Sequence, residues 1–438
     1  MPPQSKSEQG DTASVAAAVY PYATPVDLKE DEIQVDGTVY SAVALAHDHP
    51  GGELFVRAFA GRDATEAFLS YHRRSFPHEK VKSAVVGTLP ARKQVGVDNE
   101  YLELCEIVNV VLRGNTFAPW TYWLKCVAIL GTTFALELYV HTTGTYTAAM
   151  CGLIGLFYAL IGLNVQHDAN HGALSRSGWV NRIFGLTQNY IGASALDWIH
   201  QHVVQHHVNT NDVHEDPDIE GGDLLRLNPI KNMMEHQSMQ HIYIFVLIGF
   251  FGFTTVVNAF LGLWHGVRYT PFSKLVNSYR FAELLSPAFF AFRWILLPAM
   301  STNPGAALLA TVPLYMVAGY YLAFFFILSH NYEGVHMYDK SQKPEGASFL
   351  RNQVLSSSNV GFSLLCFVNG GLNYQIEHHL FPRVNHTHYP RIAPIVKAYC
   401  DKKGIRYTHF PTVLENFLSC LRHLQKMSND ISEPLPGH

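Results

Sequence analysis

Histidine is the residue type with the most chemistry to offer in this chain, which has 24 of them, many in clusters. His167-Asp168-Ala169-Asn170-His171 comes first, His200, His202, His206 and His207 follow, and Gln375-Ile376-Glu377-His378-His379 closes the set. On an α-helix His167 and His171 share a face, as do His202 and His206, because side chains four apart lie one above the other. Pairs of imidazoles on one face are how helices present nitrogen ligands to a metal. His207 and His379 each follow another candidate and sit about 100° further round a helix, so one helix end can serve two neighbouring ions. Neutral imidazoles without thiolates suit iron, zinc or copper rather than magnesium or calcium. The residues read as ligands are His167, His171, His202, His206, His207, His378 and His379. His330, in Ser329-His330-Asn331, has two readings: a further ligand, or a helix-end histidine. A solvated loop is the reading taken for His214, His236, His241, His265, His336, His386 and His388, and for the acidic group Asp212, Glu215, Asp216 and Asp218.

A separate pair of histidines stands near the N-terminus. His49-Pro50-Gly51-Gly52 is followed by Ala60-Gly61-Arg62-Asp63-Ala64-Thr65-Glu66-Ala67-Phe68 and then by Tyr71-His72. A turn of Pro and Gly holds a histidine with little bulk beside it, which lets a flat macrocycle approach the backbone. Two histidines clamping one iron from opposite faces leave no position for oxygen, so such an iron carries electrons. The alternative is a turn histidine and a helix-end histidine in an ordinary small domain.

These groups need elements to hold them. Residues 31–90 have the composition of a small soluble domain with turns at Asp36-Gly37, Gly51-Gly52 and Gly61, preceded by a polar, disordered lead-in over 1–30 and followed by a polar linker over 91–118. A domain that small needs a staple such as a cofactor. Residues 119–438 form the second domain. Four segments reach the roughly 20 apolar residues that cross a bilayer: Trp120–Val140, Tyr146–Val165, Phe281–Met300 and Ala306–Ser329. Neither of the turns His141–Thr145 and Ser301–Gly305 has a Lys or Arg, so each pair reads as a hairpin dipping from the cytosol. A fifth apolar stretch, 241–263, is followed by Arg268, Lys274 and Arg280, and is read as lying in the interface or re-entering from the cytosolic face. All histidine clusters then fall on one side of the membrane.

The bulk numbers agree with a lipid setting. Hydrophobic residues make up 48% of the chain and charged ones only 15%, with a net charge of −4, so no basic surface argues for nucleic acid. Six scattered cysteines without a Cys-x-x-Cys pair exclude an iron–sulfur or Cys-rich zinc site. The first ten residues lack the pattern of a signal peptide, so the N-terminal domain is expected in the cytosol.

Residues 31–90 resemble cytochrome b5 over nearly their whole length, and the resemblance implies haem b with His49 and His72 as axial ligands. The later clusters resemble the histidine boxes of the membrane fatty acid desaturase superfamily. Gln375, where other members have the first histidine of the third box, is similar to the front-end desaturases fused to cytochrome b5, most of all to algal delta-4 and delta-5 enzymes of polyunsaturated fatty acids. The second box departs by having three residues between His202 and His206, which leaves His200 and His202 exchangeable. The fold class implied is an α+β cytochrome b5-like haem domain, then an all-α transmembrane domain of four helices in two hairpins with a cytosolic, histidine-rich di-iron cap. The resemblance adds Gln375 to the metal surroundings and implies two iron ions, O2 as co-substrate, and electrons from NAD(P)H through a cytochrome b5 reductase. It implies a membrane lipid or fatty acyl substrate and a multi-pass protein of the endoplasmic reticulum with both termini and the active site facing the cytosol. Delta-5, delta-6 or sphingoid-base delta-8 desaturation, lipid hydroxylation, or a membrane haem carrier with structural metal only are the alternatives.

Overall fold

The computed structural model describes residues 28–88, 98–265, 276, 279–339 and 348–429. Most of the expected lead-in, the first part of the linker and most of the basic stretch 267–280 lie outside these residues. In the N-terminal domain β1 (Glu32–Val35) and β2 (Thr38–Ser41) pair antiparallel with Val35 opposite Thr38, leaving Asp36-Gly37 as a two-residue loop. Both loop residues take positive φ, 50° and 74°, the turn whose twist matches the flanking strands. β3 (Val85–Thr88) completes the sheet beside β2. Helices α1 (Ala42–His47), α2 (Glu53–Ala58) and α3 (Thr65–His72) accompany it. Ile33, Tyr40, Leu54 and Ala67 form one buried cluster, and that cluster runs on into Leu196, Ile199 and Val203 of the second domain.

The linker expected over 91–118 is corrected in its second half. Asn99–Leu112 is a helix, α4, capped by Asp98, whose carboxylate accepts from the Tyr101 amide. Tyr101, Leu104, Cys105, Val108 and Leu112 recur every three or four residues and are buried in one cluster with Phe349, Leu380, Phe381 and Tyr389. Glu103 and Glu106 lie between them, so the helix is amphipathic by period.

Four helices among the described residues are long and apolar enough to cross a membrane: α5 (Trp120–Thr143), α6 (Ala148–Asn170), α8 (Glu235–Leu261) and α10 (Pro304–His330); α7 is the run 195–209 between α6 and α8. The count of four agrees with the expectation, but the membership differs. Phe281–Met300 is represented by a shorter apolar helix, Leu285–Ala299, in the run that starts with α9 (Arg280–Ala291) and that contains Pro287, a π turn at Phe292–Leu296 and Pro298. α8, expected in the interface or re-entrant, does not lie flat. Phe245 and Phe324 share one buried cluster, Gly249 faces Tyr320, and Gly252 faces Gly319, so α8 runs antiparallel along α10. Val276 lies in the cluster that holds Ile199 and Val203. Backbones touch at these crossings: a Cβ on Gly319 would lie 2.2 Å from the Gly252 nitrogen, and one on Gly155 of α6 would lie 2.4 Å from the Leu314 oxygen of α10. Small residues at such points are how helices associate in lipid, where no hydrophobic force separates them from the solvent. Glu137 of α5 pairs with Arg293 at 2.6 Å, and its carboxylate also accepts from the Tyr158 and Tyr190 hydroxyls at 2.7 and 2.8 Å. Beyond α10 the chain folds as α11 (Phe349–Leu355), α12 (Gln375–Leu380), α13 (Tyr389–Lys403) and α14 (Val413–Met427), with β4 (Asn359–Val360) and β5 (His409–Phe410) pairing in parallel. These pieces make the cap over the ends of α6 and α10.

Candidate metal centre

α6 passes through a π turn at Gly162–Gln166 just before His167, and α10 ends at His330. α7 is π-helical from Ile199 to His206. His202 and His206 still share a face there, with ring centroids 5.3 Å apart. Bonding from i to i+5 brings residues five apart together, so His207 Nε2 comes within 3.1 Å of His202 Nε2 while His206 turns towards other histidines.

Two groups result. His167, His171, His202 and His378 place one nitrogen each within 4.8 Å of one another, and His206, His330 and His379 do the same. His207 stands between them, with Nε2 3.0 Å from His378 Nε2 and its ring stacked on His379 at 4.3 Å. Gln375 adjoins the second group, its amide nitrogen 2.9 Å from His330 Nε2 and 3.2 Å from His379 Nε2. His200 is buried but is in neither group.

The donors fit metal ions. His167 Nδ1 and Nε2, His171 Nε2, His206 Nε2 and Gln375 Oε1 are buried with no hydrogen-bond partner. Each such atom costs about 1–3 kcal/mol when left unsatisfied, so several aimed into one small volume call for ligands there. Burial, reinforced by the neighbouring rings, pushes His171, His202, His207, His378 and His379 well below the usual imidazole range, which keeps them neutral with a lone pair free. His206 differs. Burial alone lowers it, but Asp216, with both oxygens 3.0–3.1 Å from Nδ1, and Asp218 at 3.4 Å outweigh that and raise it to about 9. The pair of carboxylates therefore holds a proton on Nδ1, and Nε2, which faces His330 and His379, gives up its own proton when a metal binds.

Other outer contacts fix the rings in the same way. His330 Nδ1 donates to the Ser356 carbonyl at 2.9 Å, His379 Nδ1 lies 3.0 Å from both Thr210 Oγ1 and Gln353 Oε1, and His171 Nδ1 meets the Tyr71 hydroxyl at 2.7 Å. Sequence reasoning missed these partners, and it misjudged three. Asp212, read with Asp216 as a solvated acidic loop, is fully buried. Asp216, read as part of a solvated acidic loop, is buried against His206. His386, read as solvated, is fully buried, its Nδ1 2.6 Å from Asp168 Oδ2 and its Nε2 2.8 Å from Lys125 Nζ. His214 and His236 are exposed as expected, while the side chain of His265 lies outside the described residues. The sequence held one usable signal, the carboxylate of Asp168 beside a box histidine; Asp216 has no periodic relation to His206.

The N-terminal pair lines a second site. His49 and His72 face each other with ring centroids 5.9 Å apart across a cavity of ≈ 660 Å³ walled by Leu45, Phe55, Phe59 and Phe68. A metal–nitrogen bond of about 2 Å with the ring centre about 1 Å behind the nitrogen places two axial histidines about 6 Å apart. His49 Nδ1 donates to the Gly52 carbonyl at 2.8 Å and His72 Nδ1 to the Phe68 carbonyl at 3.1 Å, so each Nε2 is the atom turned to the cavity. A Cβ at Gly51 would lie 2.9 Å from His49 Cε1, which is why the turn needs glycine there. The cavity, its aromatic walls and the paired imidazoles fit a haem.

Residues 143–411 match the family described as fatty acid desaturase, and residues 32–90 match the cytochrome b5-like heme/steroid binding domain. Among known proteins the chain is 42% identical to the acyl-lipid (7-3)-desaturase of Rebecca salina, with 97% of each chain covered. It is 41% identical to the acyl-lipid (7-3)-desaturase of Diacronema lutheri, covering 98% of this chain and 97% of that one. It is 30% identical to the acyl-lipid (8-3)-desaturase of Physcomitrium patens, covering 89% and 87%.

Proposed function

The chain belongs to the fatty acid desaturase family, as a front-end member with a cytochrome b5-like domain fused ahead of it, and from that premise we propose that it inserts a cis double bond at carbon 4 of a very-long-chain polyunsaturated acyl group. The observation that carries the chemistry is the convergence of eight imidazoles and Gln375 into two adjoining groups at the ends of α6 and α10. The position rests on the relatives: two (7-3)-desaturases stand at 42% and 41% identity against 30% for an (8-3)-desaturase. A bond placed three carbons to the carboxyl side of one at carbon 7 falls at carbon 4. Insertion at carbon 5 is the second reading, favoured by the (8-3) relative.

In this reading His167, His171, His202 and His378 hold one iron, His206, His330 and His379 with Gln375 hold the other, and His207 stands between them. His49 and His72 hold haem b. The bound irons supply reductive activation of O2 and removal of hydrogen from unactivated carbon, with haem supplying electrons singly. The protein's part is positional. Burial keeps His171, His202, His207, His378 and His379 neutral, Asp216 fixes the face His206 presents, and the cap of α11 to α13 keeps bulk water from the histidines. Glu377, which accepts from Asn359 Nδ2 at 2.7 Å and Tyr407 at 2.9 Å, anchors α12 between its two histidines and the cap.

Placement in the endoplasmic reticulum membrane, with termini and metal face in the cytosol, is supported by turns without Lys or Arg at the far ends of the spans. Electrons then come from NAD(P)H through a cytosol-facing cytochrome b5 reductase, and acyl substrate comes from the membrane. Expression in yeast supplied with single polyunsaturated acids, with products resolved by gas chromatography, tests the assignment. A new bond at carbon 4 of a C22 acid supports it, and conversion only of C20 acids at carbon 5 replaces it with the second reading.

A further inference from the structure

The haem cavity is not sealed by its own domain. His171, Gly172, Asn181 and Arg383 of the second domain line it together with His49 and His72. The two domains meet backbone to backbone there: a Cβ on Gly178 would lie 2.9 Å from the Gly51 carbonyl oxygen and 3.1 Å from the Gly52 Cα. Arg73, the residue after His72, donates from Nε to Asn109 Oδ1 of α4 at 3.0 Å. The core of the N-terminal domain is continuous with Ile199 and Val203 of α7. Such contacts describe a seated domain, with its cavity turned towards the metal centre.

At the centre of this contact is Tyr71. It precedes His72 in α3, its ring lies 6.1 Å from Phe55 on the cavity wall, and its hydroxyl is 2.7 Å from Nδ1 of His171. His171 Nε2 is the atom left without a partner and faces His167, His202 and His378. With Nε2 given to a metal, Nδ1 carries the proton and donates to the Tyr71 oxygen. One peptide step and one hydrogen bond thus join an axial haem histidine to a histidine of the first metal group.

We propose that Tyr71 is a positioning residue for electron transfer, coupling the His72 side of the haem to the iron held by His171 while the domain stays docked. The inference rests on the metal reading proposed above. In each transfer one electron leaves ferrous haem, which becomes ferric, and one ferric ion of the metal pair becomes ferrous. Two transfers, two protons, O2 and two hydrogens of the acyl chain balance one double bond and two waters.

The test uses the full-length protein loaded with haem and iron, under anaerobic conditions. A flash photoreductant delivers one electron to the haem, and the decay of the ferrous haem band is followed. Iron-depleted protein provides the baseline: wild type decaying no faster than this baseline sinks the di-iron reading itself, whatever Tyr71 does. With wild type faster than the baseline, Tyr71→Phe is expected to slow the decay by roughly an order of magnitude, because a bonded contact becomes a through-space gap. Its haem spectrum, haem midpoint potential and iron content are expected to stay those of wild type, which a general structural role would not allow. An unchanged decay in Tyr71→Phe overturns the proposal, and so does loss of iron from that variant, which would make Tyr71 a support for His171 alone.

Discussion

Asp216→Asn is the perturbation that probes the metal site most selectively without touching a ligand. Asp216 places Oδ1 3.0 Å and Oδ2 3.1 Å from His206 Nδ1, while Oδ2 accepts from the Asn211 amide at 2.7 Å and Oδ1 from the Asp218 amide at 3.0 Å. Asparagine keeps the shape but removes the charge and turns one oxygen into a donor. One buried backbone N–H then faces another donor, a cost of about 1–3 kcal/mol in stability. Losing the carboxylate behind a ligating histidine weakens metal binding by about 10- to 100-fold, which is about 1.4–2.7 kcal/mol. Because His206 belongs to the group with His330 and His379 and not to the group with His167, the loss falls on one ion of the two. Purified variant and wild type are challenged with graded chelator, and non-haem iron is measured by mass spectrometry beside the haem absorbance. The expected result is early loss of half the non-haem iron from the variant with the haem band unchanged. Equal retention of both irons in the two proteins refutes the role given to Asp216.

Replacing His49 or His72 by Ala removes the haem band in absorbance while leaving non-haem iron in place, since the two sites share no ligand. Gly319→Val forces a side chain to within 2.2 Å of the Gly252 nitrogen before relaxation; overpacking of this kind costs about 1–3 kcal/mol and lowers the thermal midpoint in detergent. His423, buried in α14, is pushed down to about 4 by burial first and by Lys426 second. Between pH 6.5 and about 4 the unfolded chain binds its proton and the folded one does not, so stability falls with falling pH by roughly 3 kcal/mol at the low end. His423→Leu removes that contribution, seen as a smaller difference in melting temperature between pH 7 and pH 4 than wild type shows.

Much of the site was legible because short-range spacing carried it. His49-Pro50-Gly51-Gly52 and Tyr71-His72 mark one turn and one helix end, and the cavity follows from them. The box histidines were legible as a set, but their partition between two groups was not, because it depends on a π turn through Ile199–His206 that residue type does not announce. Asp216, His386 and Tyr71 act across 10, 218 and 100 residues of chain, distances at which neither period nor motif speaks. Length and hydropathy found the apolar stretches, yet Phe281–Met300 contains Pro287, Arg293 and Pro298, and those residues shorten its apolar helix. The stretch 241–263 was demoted on the charges that follow it, whereas Gly252 against Gly319 shows it packed lengthwise beside α10. α4 was passed over as linker although nine of its 14 residues are apolar, because its buried stripe shows only as a recurrence every three or four residues.

The central claim, that scattered imidazoles converge on a coupled pair of irons, is tested most directly by Mössbauer spectroscopy of purified protein grown on enriched iron, combined with total metal analysis. The account predicts two non-haem irons per chain as an interacting pair, in addition to one low-spin haem iron. A single isolated non-haem iron, or zinc in place of iron at the histidine groups, contradicts it.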